Sequence, residues 1–466
     1  MGGGGSKQAQ LERYGHLLSP RERHAVETTF TDIAGSPDAS FLTQQQLNAY
    51  LTGLLYPPST TDRVSRGIFL ALGGGDKAGV DFPNFIQFAS QLLRGSLTQR
   101  SQRLHILTSG HLDLLRETLQ ALLANLCDSS SPTSPWVLSS PQCLASLVDF
   151  LTKPLGDVGV AGGRSLTVGE VESWLASSVA VERILDVAFG TCFYNRTLTS
   201  SEDAPPEIAA HVGHPVRVDE EEGGGKLDTQ RVLVPLLIPH ATQRDPSPSS
   251  SLLSAAALLM INSFLPAEIR GQLYPLFLSS QHGKSFSTLC KGLVGSGPCL
   301  LVVRDYGGHV FGGFAAVSWQ FGPQFTGSSE CFLFSLHPNM AVYTVTGYND
   351  HYMYLQQTAQ TMPNGLGMGG QLEYCGLWLS AEFDSGHSKG RPHCTTYGSP
   401  SLSSSEEFSV DTVEVWHVGS PPPPPEQSDG AGQSILDKDK VAGHILEMAG
   451  KTRHSEGLRE PPPDDN

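Results

Sequence analysis

Cations are scarce in this 466-residue chain: 30 Lys plus Arg stand against 46 Asp plus Glu, a formal charge of -16, and no basic stripe gathers anywhere. A nucleic-acid surface needs clustered cations to displace counterions, so DNA and RNA are excluded as expected ligands. The eight cysteines, at 127, 143, 192, 290, 299, 331, 375 and 394, include no CxxC pair and no tight framework. That usage fits a reducing compartment, where thiols behave as small apolar residues. No charged segment followed by an apolar stretch marks a secretory signal. The strongest apolar run, "LLSAAALLMI" at 252–261, is roughly half the length needed to span a bilayer. The chain therefore reads as cytosolic, and the sequon at 195–197 as silent.

What is present divides the chain into a helical front and a strand-rich back, an α+β multidomain organisation. After a leader at 1–18, "SPRERHAVETTFTDI" offers Ser19 as N-cap and Pro20 at the first helical position, then Val26, Phe30 and Ile33 at helical spacing. "TQQQLNAYLTGLL", "RLHILTSGHLDLLRETLQALLANL" and "TVGEVESWLASSVAVERILDVAF" extend a helical region over 19–198, interrupted by a Ser/Pro loop at 128–142. An acidic Gly/Pro linker occupies 199–226. Over 227–419 one helix-like segment is followed by short strands between Gly, Pro, Asn and Ser turns, which predicts an antiparallel β-sandwich with flanking helices. "CLLVVRDYGGHVFGGFAAVSW" reads as a hairpin turning at 306–308. A Pro-rich linker at 420–433 then leads to a C-terminal segment, 434–460. There "SILDKDKVAGHILEMAG" predicts a tethered helix whose apolar face carries Val441, Ile445, Leu446 and Met448. The face folds back on its own domain or enters a groove on a partner.

Several motifs invite a chemical reading and fail it. "GGGDKAGVDFPNF" echoes a calcium loop, yet its ligand positions fall on Gly73, Gly75, Lys77 and Asn84, where carboxylates are required. "GGRSLTVGEVESWL" keeps Glu170 at the last position but has Gly159, Ala161 and Gly163 upstream. Both are expected to be degenerate EF-hand-like scaffold, with no bound metal. "GHSKG" matches a nucleophile elbow centred on Ser388, with Asp411 and His417 following in hydrolase order, but no helix text follows the Ser. "GLGMGG" at 365–370 matches GxGxxG and precedes strand text, so a tight backbone turn is expected rather than a phosphate loop. His282, His309, His351 and His393 lack ligand spacing.

The strand region resembles a TLDc domain. The residues that carry the resemblance are "PLFLSSQHGKSFSTLC", "HVFGGFAAVSW", "CFLFSL", "TGYNDHYMYL", "PNGLGMGGQLEYCGLWLSAEFDSGHS", "CTTYGSP" and "VEVWHV", in the family's order. In front of the sandwich and behind it, the chain is similar to a lysosome-linked branch of that family associated with mTOR signalling. The resemblance implies a non-enzymatic adaptor without catalytic residues, which binds the vacuolar proton-pumping ATPase at the cytosolic face of the lysosome and takes part in mTOR signalling, directly or indirectly. A serine hydrolase using Ser388 and a calcium sensor are the competing classes.

The opening "MGGGGSKQ" gains a meaning from that context. Met, Gly, three residues and Ser make the pattern that exposes Gly2 for N-myristoylation, although the same letters spell a flexible linker. The expected group on the chain is therefore a myristoyl on Gly2, with no other cofactor. One such lipid holds a membrane only marginally. Lys7 is the one cation in the first ten residues. The second contact with the lysosomal membrane is expected to be a protein.

Overall fold

The Ser19 hydroxyl accepts from the Glu22 N–H, and Glu22 Oε2 accepts from the Ser19 N–H at 2.8 Å, so both ends of a capping box open α1 (Pro20–Ala34). Val26, Phe30 and Ile33 all turn inward. The computed structural model describes residues 14–36, 39–55, 58–75, 79–127, 136–137, 139–156, 164–193, 238–241, 250–390 and 392–421. After α1 come β1 (Phe41–Leu42), α2 (Gln44–Thr52), α3 (Pro58–Ala71), β2 (Val80–Asp81) and α4 (Phe82–Arg94). β1 and β2 pair antiparallel, Leu42 opposite Val80, and join two helix–loop–helix units. A second pair follows: α5 (Leu97–Leu107), α6 (Leu112–Leu126), α7 (Pro141–Thr152) and α8 (Val168–Ser177), with His111 bridged antiparallel to Ser165.

Two stretches that read as continuous helix are broken. Between α5 and α6, Ser109 and Gly110 take positive φ of 49° and 67°, and the Gly110 N–H closes the turn on the His105 carbonyl. Between α8 and α9 (Val179–Phe193), Ser178 is extended, with φ of -139° and ψ of 94°. The break lets α9 lie along α4, where the Phe193 ring sits 5.6 Å from Phe85 and 5.9 Å from Phe88. Burying those rings outweighs the helical continuity that local periodicity favours.

The back half is two antiparallel layers that share one long strand. β3 (His240–Ala241) pairs parallel with β4 (Gln272–Leu278), while β5 (Cys299–Asp305), β6 (Val310–Ala315), β7 (Phe332–His337) and β8 (Ala341–Thr344) form a meander. The hairpin turn falls where expected, the Gly308 N–H bonding the Asp305 carbonyl at 3.1 Å. β9 (Tyr354–Gln356), β10 (Gly365–Met368), β11 (Leu377–Ser380) and β12 (Ser385–His387) make the other layer. β13 (Glu407–Val418) joins them: its first residues pair with β12, then it shifts register past Val410 and runs between β5 and β4. Leu301, Val303, Phe311, Leu333, Leu366, Met368, Leu377 and Val413 fill the space between the layers, with α12 (Phe286–Leu293) closing one side after the short α11 (Ser279–His282). Gly312 in β6 is a close approach: a Cβ there would lie 1.9 Å from the Leu301 carbonyl oxygen.

The outer face of the β4–β8 layer is covered as well. α10 (Ala255–Phe264) starts at the Ser254 cap and is buried on almost every side, packed with Leu300, Val302, Phe314, Phe332 and Trp416 in a core continuous with the helical region. Trp136 reaches across, its ring 5.2 Å from Trp416 and its indole N–H bonded to the Pro239 carbonyl. Beside them Glu414, only 2% exposed, accepts from the Ser250 hydroxyl at 2.6 Å, the Ser251 N–H at 2.7 Å and the Trp416 indole at 3.1 Å. Ser146 in α7 accepts from the Met340 N–H at 2.7 Å. All described residues thus belong to one compact unit ending at Pro421, and among them no helix is long and apolar enough to cross a membrane.

Candidate partner-binding surface

Three of the stretches that carry the family resemblance lie apart in sequence and meet at one end of the sandwich. The segment 345–353 before β9, the turn 369–376 between β10 and β11, and the segment 388–406 before β13 are irregular, so their backbone groups need partners outside the ladders. Thr396 supplies several. Its hydroxyl donates to Asn349 Oδ1 at 2.6 Å and accepts from the Gly370 N–H at 2.8 Å, while its carbonyl accepts from the Thr346 N–H. His351 Nδ1 stands 2.6 Å from the Gly370 carbonyl oxygen, which requires the proton on that nitrogen, and the ring stacks on Phe325 at 4.4 Å. The Tyr397 hydroxyl donates to the Tyr352 carbonyl at 2.9 Å. On this pinned backbone Tyr348 and Tyr374 stand out, 79% and 64% exposed.

The expected turn covers only the end of the glycine run, since Gly365–Met368 form β10. Gly369 and Gly370 follow β10 with φ of 75° and 76°, no helix begins there, and the Gly370 N–H is already bonded to Thr396. A phosphate would find no row of free donors of the kind a helix N-terminus supplies.

Ser388, Asp411 and His417 are not brought together as a triad. Ser388 is fully buried, its Oγ donating to the Gly376 carbonyl at 2.6 Å and accepting from the Leu402 N–H at 2.9 Å. Asp411 accepts from Arg304 Nε at 2.6 Å, and His417 Nε2 lies 2.5 Å from the Ser420 carbonyl. No helix follows Ser388 to aim N–H groups at an oxyanion. None of the eight cysteines forms a disulfide, and burial pushes the Cys290, Cys299 and Cys375 thiols up to about 12, away from the reactive thiolate. Glu170 is spent on capping α8. The Thr167 N–H and then Arg164 hold its carboxyl down to about 2. Among the described residues no group of three or more His, Cys, Asp or Glu is placed to hold a metal. Gly73, Gly75 and Asn84 of the first loop are described, but Lys77, Gly159, Ala161 and Gly163 lie outside.

His387 sits under the same end. Its ring stacks on Trp378 with centroids 5.8 Å apart, and burial, reinforced by Lys389, pushes it down to about 4. The unfolded imidazole takes up its proton near pH 6.5 and the folded one resists, so this group's contribution is present above about 6.5 and is lost as pH falls towards about 4. Asp186 works the other way. Burial, against the pull of Arg100 and Arg94, raises its carboxyl to about 6, so its contribution is present at low pH and is lost as pH rises through about 6. His387→Phe, which keeps the stack, should flatten the acid limb of urea midpoint against pH; an unchanged slope would refute the assignment.

Of the residues singled out in the sequence, Gly2, Val441, Ile445, Leu446 and Met448 lie outside the described residues. Two groupings of buried charge carry no sequence motif. Glu414 was signalled by its parity, since alternate residues of "TVEVWHV" put it on the face of Trp416 and Val418. Nothing in sequence tied Arg100 of α5 to Glu182 and Asp186 of α9, which it joins. A cleft of about 390 Å³ lies near Phe264, Arg270, Glu330 and Phe332, where Arg270 bonds the Leu265 and Ser263 carbonyls.

The two layers sharing β13, with motif stretches gathered at one end, define the class: the TLDc domain, whose family profile matches residues 247–419. The chain is 54% identical over 217 residues to the MTOR-associated protein MEAK7 of Gallus gallus, covering 46% of each chain, so the matched stretch spans about half of that relative. To the Mus musculus protein of the same description it is 31% identical over 511 residues, covering 99% of this chain and 100% of the relative. The chain belongs to the family of the MTOR-associated protein MEAK7. It is also 31% identical over 169 residues to nuclear receptor coactivator 7 of Gallus gallus, covering 36% of this chain and 18% of that one.

Proposed function

We propose that the protein is a non-enzymatic adaptor at the cytosolic face of the lysosome, which binds the vacuolar proton-pumping ATPase and takes part in mTOR signalling. Full-length similarity to a protein described as MTOR-associated is the observation that carries this reading. The engagement of Ser388, Asp411 and His417 by backbone carbonyls, amides and Arg304 supports a role without catalysis. In this reading the helix–loop–helix pairs are degenerate EF-hand-like units kept for packing and not for calcium. A myristoyl on Gly2 and the apolar face of Val441, Ile445, Leu446 and Met448 act together: one lipid is a marginal anchor, and the tail, docked on the pump, supplies the second contact.

Changing Val441, Ile445 and Met448 together to Asp should reduce co-purification with the pump from lysosomal membranes at least tenfold and leave the melting of the described unit unchanged. Undiminished co-purification would remove the tail from the mechanism. Metabolic labelling with a myristate analogue should mark the wild type and not Gly2→Ala.

A further inference from the structure

Tyr348 is the most exposed large apolar side chain among the described residues. Its backbone is nevertheless held from within, because Asn349, next in sequence, bonds Thr395 Oγ1 at 3.1 Å and Thr396 Oγ1 at 2.6 Å. Tyr374 closes a bonded turn with Gln371, one residue beyond Gly370, which Thr396 ties to Asn349. Two exposed aromatic residues thus stand on backbone that is already pinned, so the backbone ordering entropy is lost on folding and not on binding.

The charge around them is mainly acidic. From Val345 to Ser388 the sequence carries four Asp or Glu and no Lys or Arg. Asp350 and Glu373, both exposed, stand within two residues of the tyrosines, and Glu406 and Glu407 lie at the same end. The described cation there is Lys389, already paired with Glu407 at 3.5 Å, and His393 is exposed beside it; the Arg391 side chain lies outside the described residues. Lys389 also shows what such a ring accepts, its Nζ standing 5.9 Å from the centre of the Tyr374 ring. Lys284 repeats the arrangement 5.3 Å over Tyr306 elsewhere on the domain. Tyr348 has the ring and a neighbouring carboxylate, and no described Lys or Arg lies over it.

We propose that this end of the sandwich is a docking surface for a basic segment of a protein partner, with a Lys or Arg side chain over Tyr348 and Asp350 and Glu373 supplying the opposing charge. A cation over an aromatic face gains from the ring quadrupole, and flanking carboxylates add attraction and steer the encounter. An anionic lipid surface or a nucleic acid would meet the same carboxylates with like charge. The proposal gives partner chemistry to the adaptor reading but is tested without the pump, so either can fail alone.

The test is fluorescence anisotropy of a labelled peptide of four Lys-Arg repeats titrated with the full chain. The wild type should bind, more weakly as salt rises. Tyr348→Ala and the double variant Asp350→Asn with Glu373→Gln should each lose about tenfold, while Tyr348→Phe stays within about twofold and Glu268→Gln with Glu330→Gln matches the wild type. Absent binding, or equal binding by all variants through the net negative charge, would overturn the proposal. So would co-sedimentation with phosphatidylserine vesicles that Tyr348→Ala abolishes, since the surface would then be a membrane site.

Discussion

Trp416→Ala is expected to lower the unfolding free energy by about 3–5 kcal/mol, the range for deleting a buried aromatic, and to loosen the helical region and the sheet together. The indole has no exposed surface, meets Trp136 edge-on at 5.2 Å and donates to Glu414 at 3.1 Å. Removing it leaves a cavity in a core that runs from α7 through α10 to the outer face of the β5–β13 layer. It also strips one donor from a carboxylate that is 2% exposed, which adds a desolvation cost. Urea unfolding followed separately by far-UV circular dichroism and by hydrogen exchange in α7 and β5 should give one shared, lowered midpoint. A loss confined to β5, or below about 1 kcal/mol, would show that the two halves are held by other contacts.

Arg100→Met should cost about 2 kcal/mol, below the range for a fully buried ion pair, because the Glu182 and Asp186 side chains are 42% and 28% exposed. The guanidinium, with its side chain 10% exposed, bonds Glu182 at 2.5 Å, the Leu92 carbonyl at 3.1 Å and Asp186. Without it two carboxylates on adjacent turns of α9 face each other, and that of Asp186 is already raised to about 6 by its surroundings. Arg94 remains close but is paired with Glu22 at 2.8 Å. Pairing Arg100→Met with Asp186→Leu should recover most of the loss, because replacing a buried pair by apolar groups of similar size is often neutral. Failure of the second change to recover stability would mean that the Leu92 and Glu182 contacts carry the effect. Thermal and urea unfolding of both variants measure it.

Both sites show where sequence is legible. The capping box of Ser19 and Glu22, the turn ending at Gly308 and the alternation in β13 are local, so a few neighbouring residues specify them. The missing helix after Ser388 was legible for the same reason, and it removed a triad that spacing alone had suggested. The breaks at Ser109 and Ser178 were not, because each follows from where distant surfaces pack: α9 turns away to bring Phe193 against Phe85 and Phe88. Nor could periodicity place Trp136, drawn from a Ser/Pro-rich stretch, against Trp416 far along the chain. At the candidate surface the motif stretches were visible one by one. Their meeting, through Thr396 bonded to both Asn349 and Gly370, required the fold.

Direct binding of purified full-length protein to purified vacuolar proton-pumping ATPase in detergent tests the central proposal most plainly. Saturable binding by the wild type, weakened at least tenfold when Val441, Ile445 and Met448 are changed to Asp, is the predicted result. Absence of saturable binding by the folded wild type, or fluorophosphonate labelling that depends on Ser388, would contradict it.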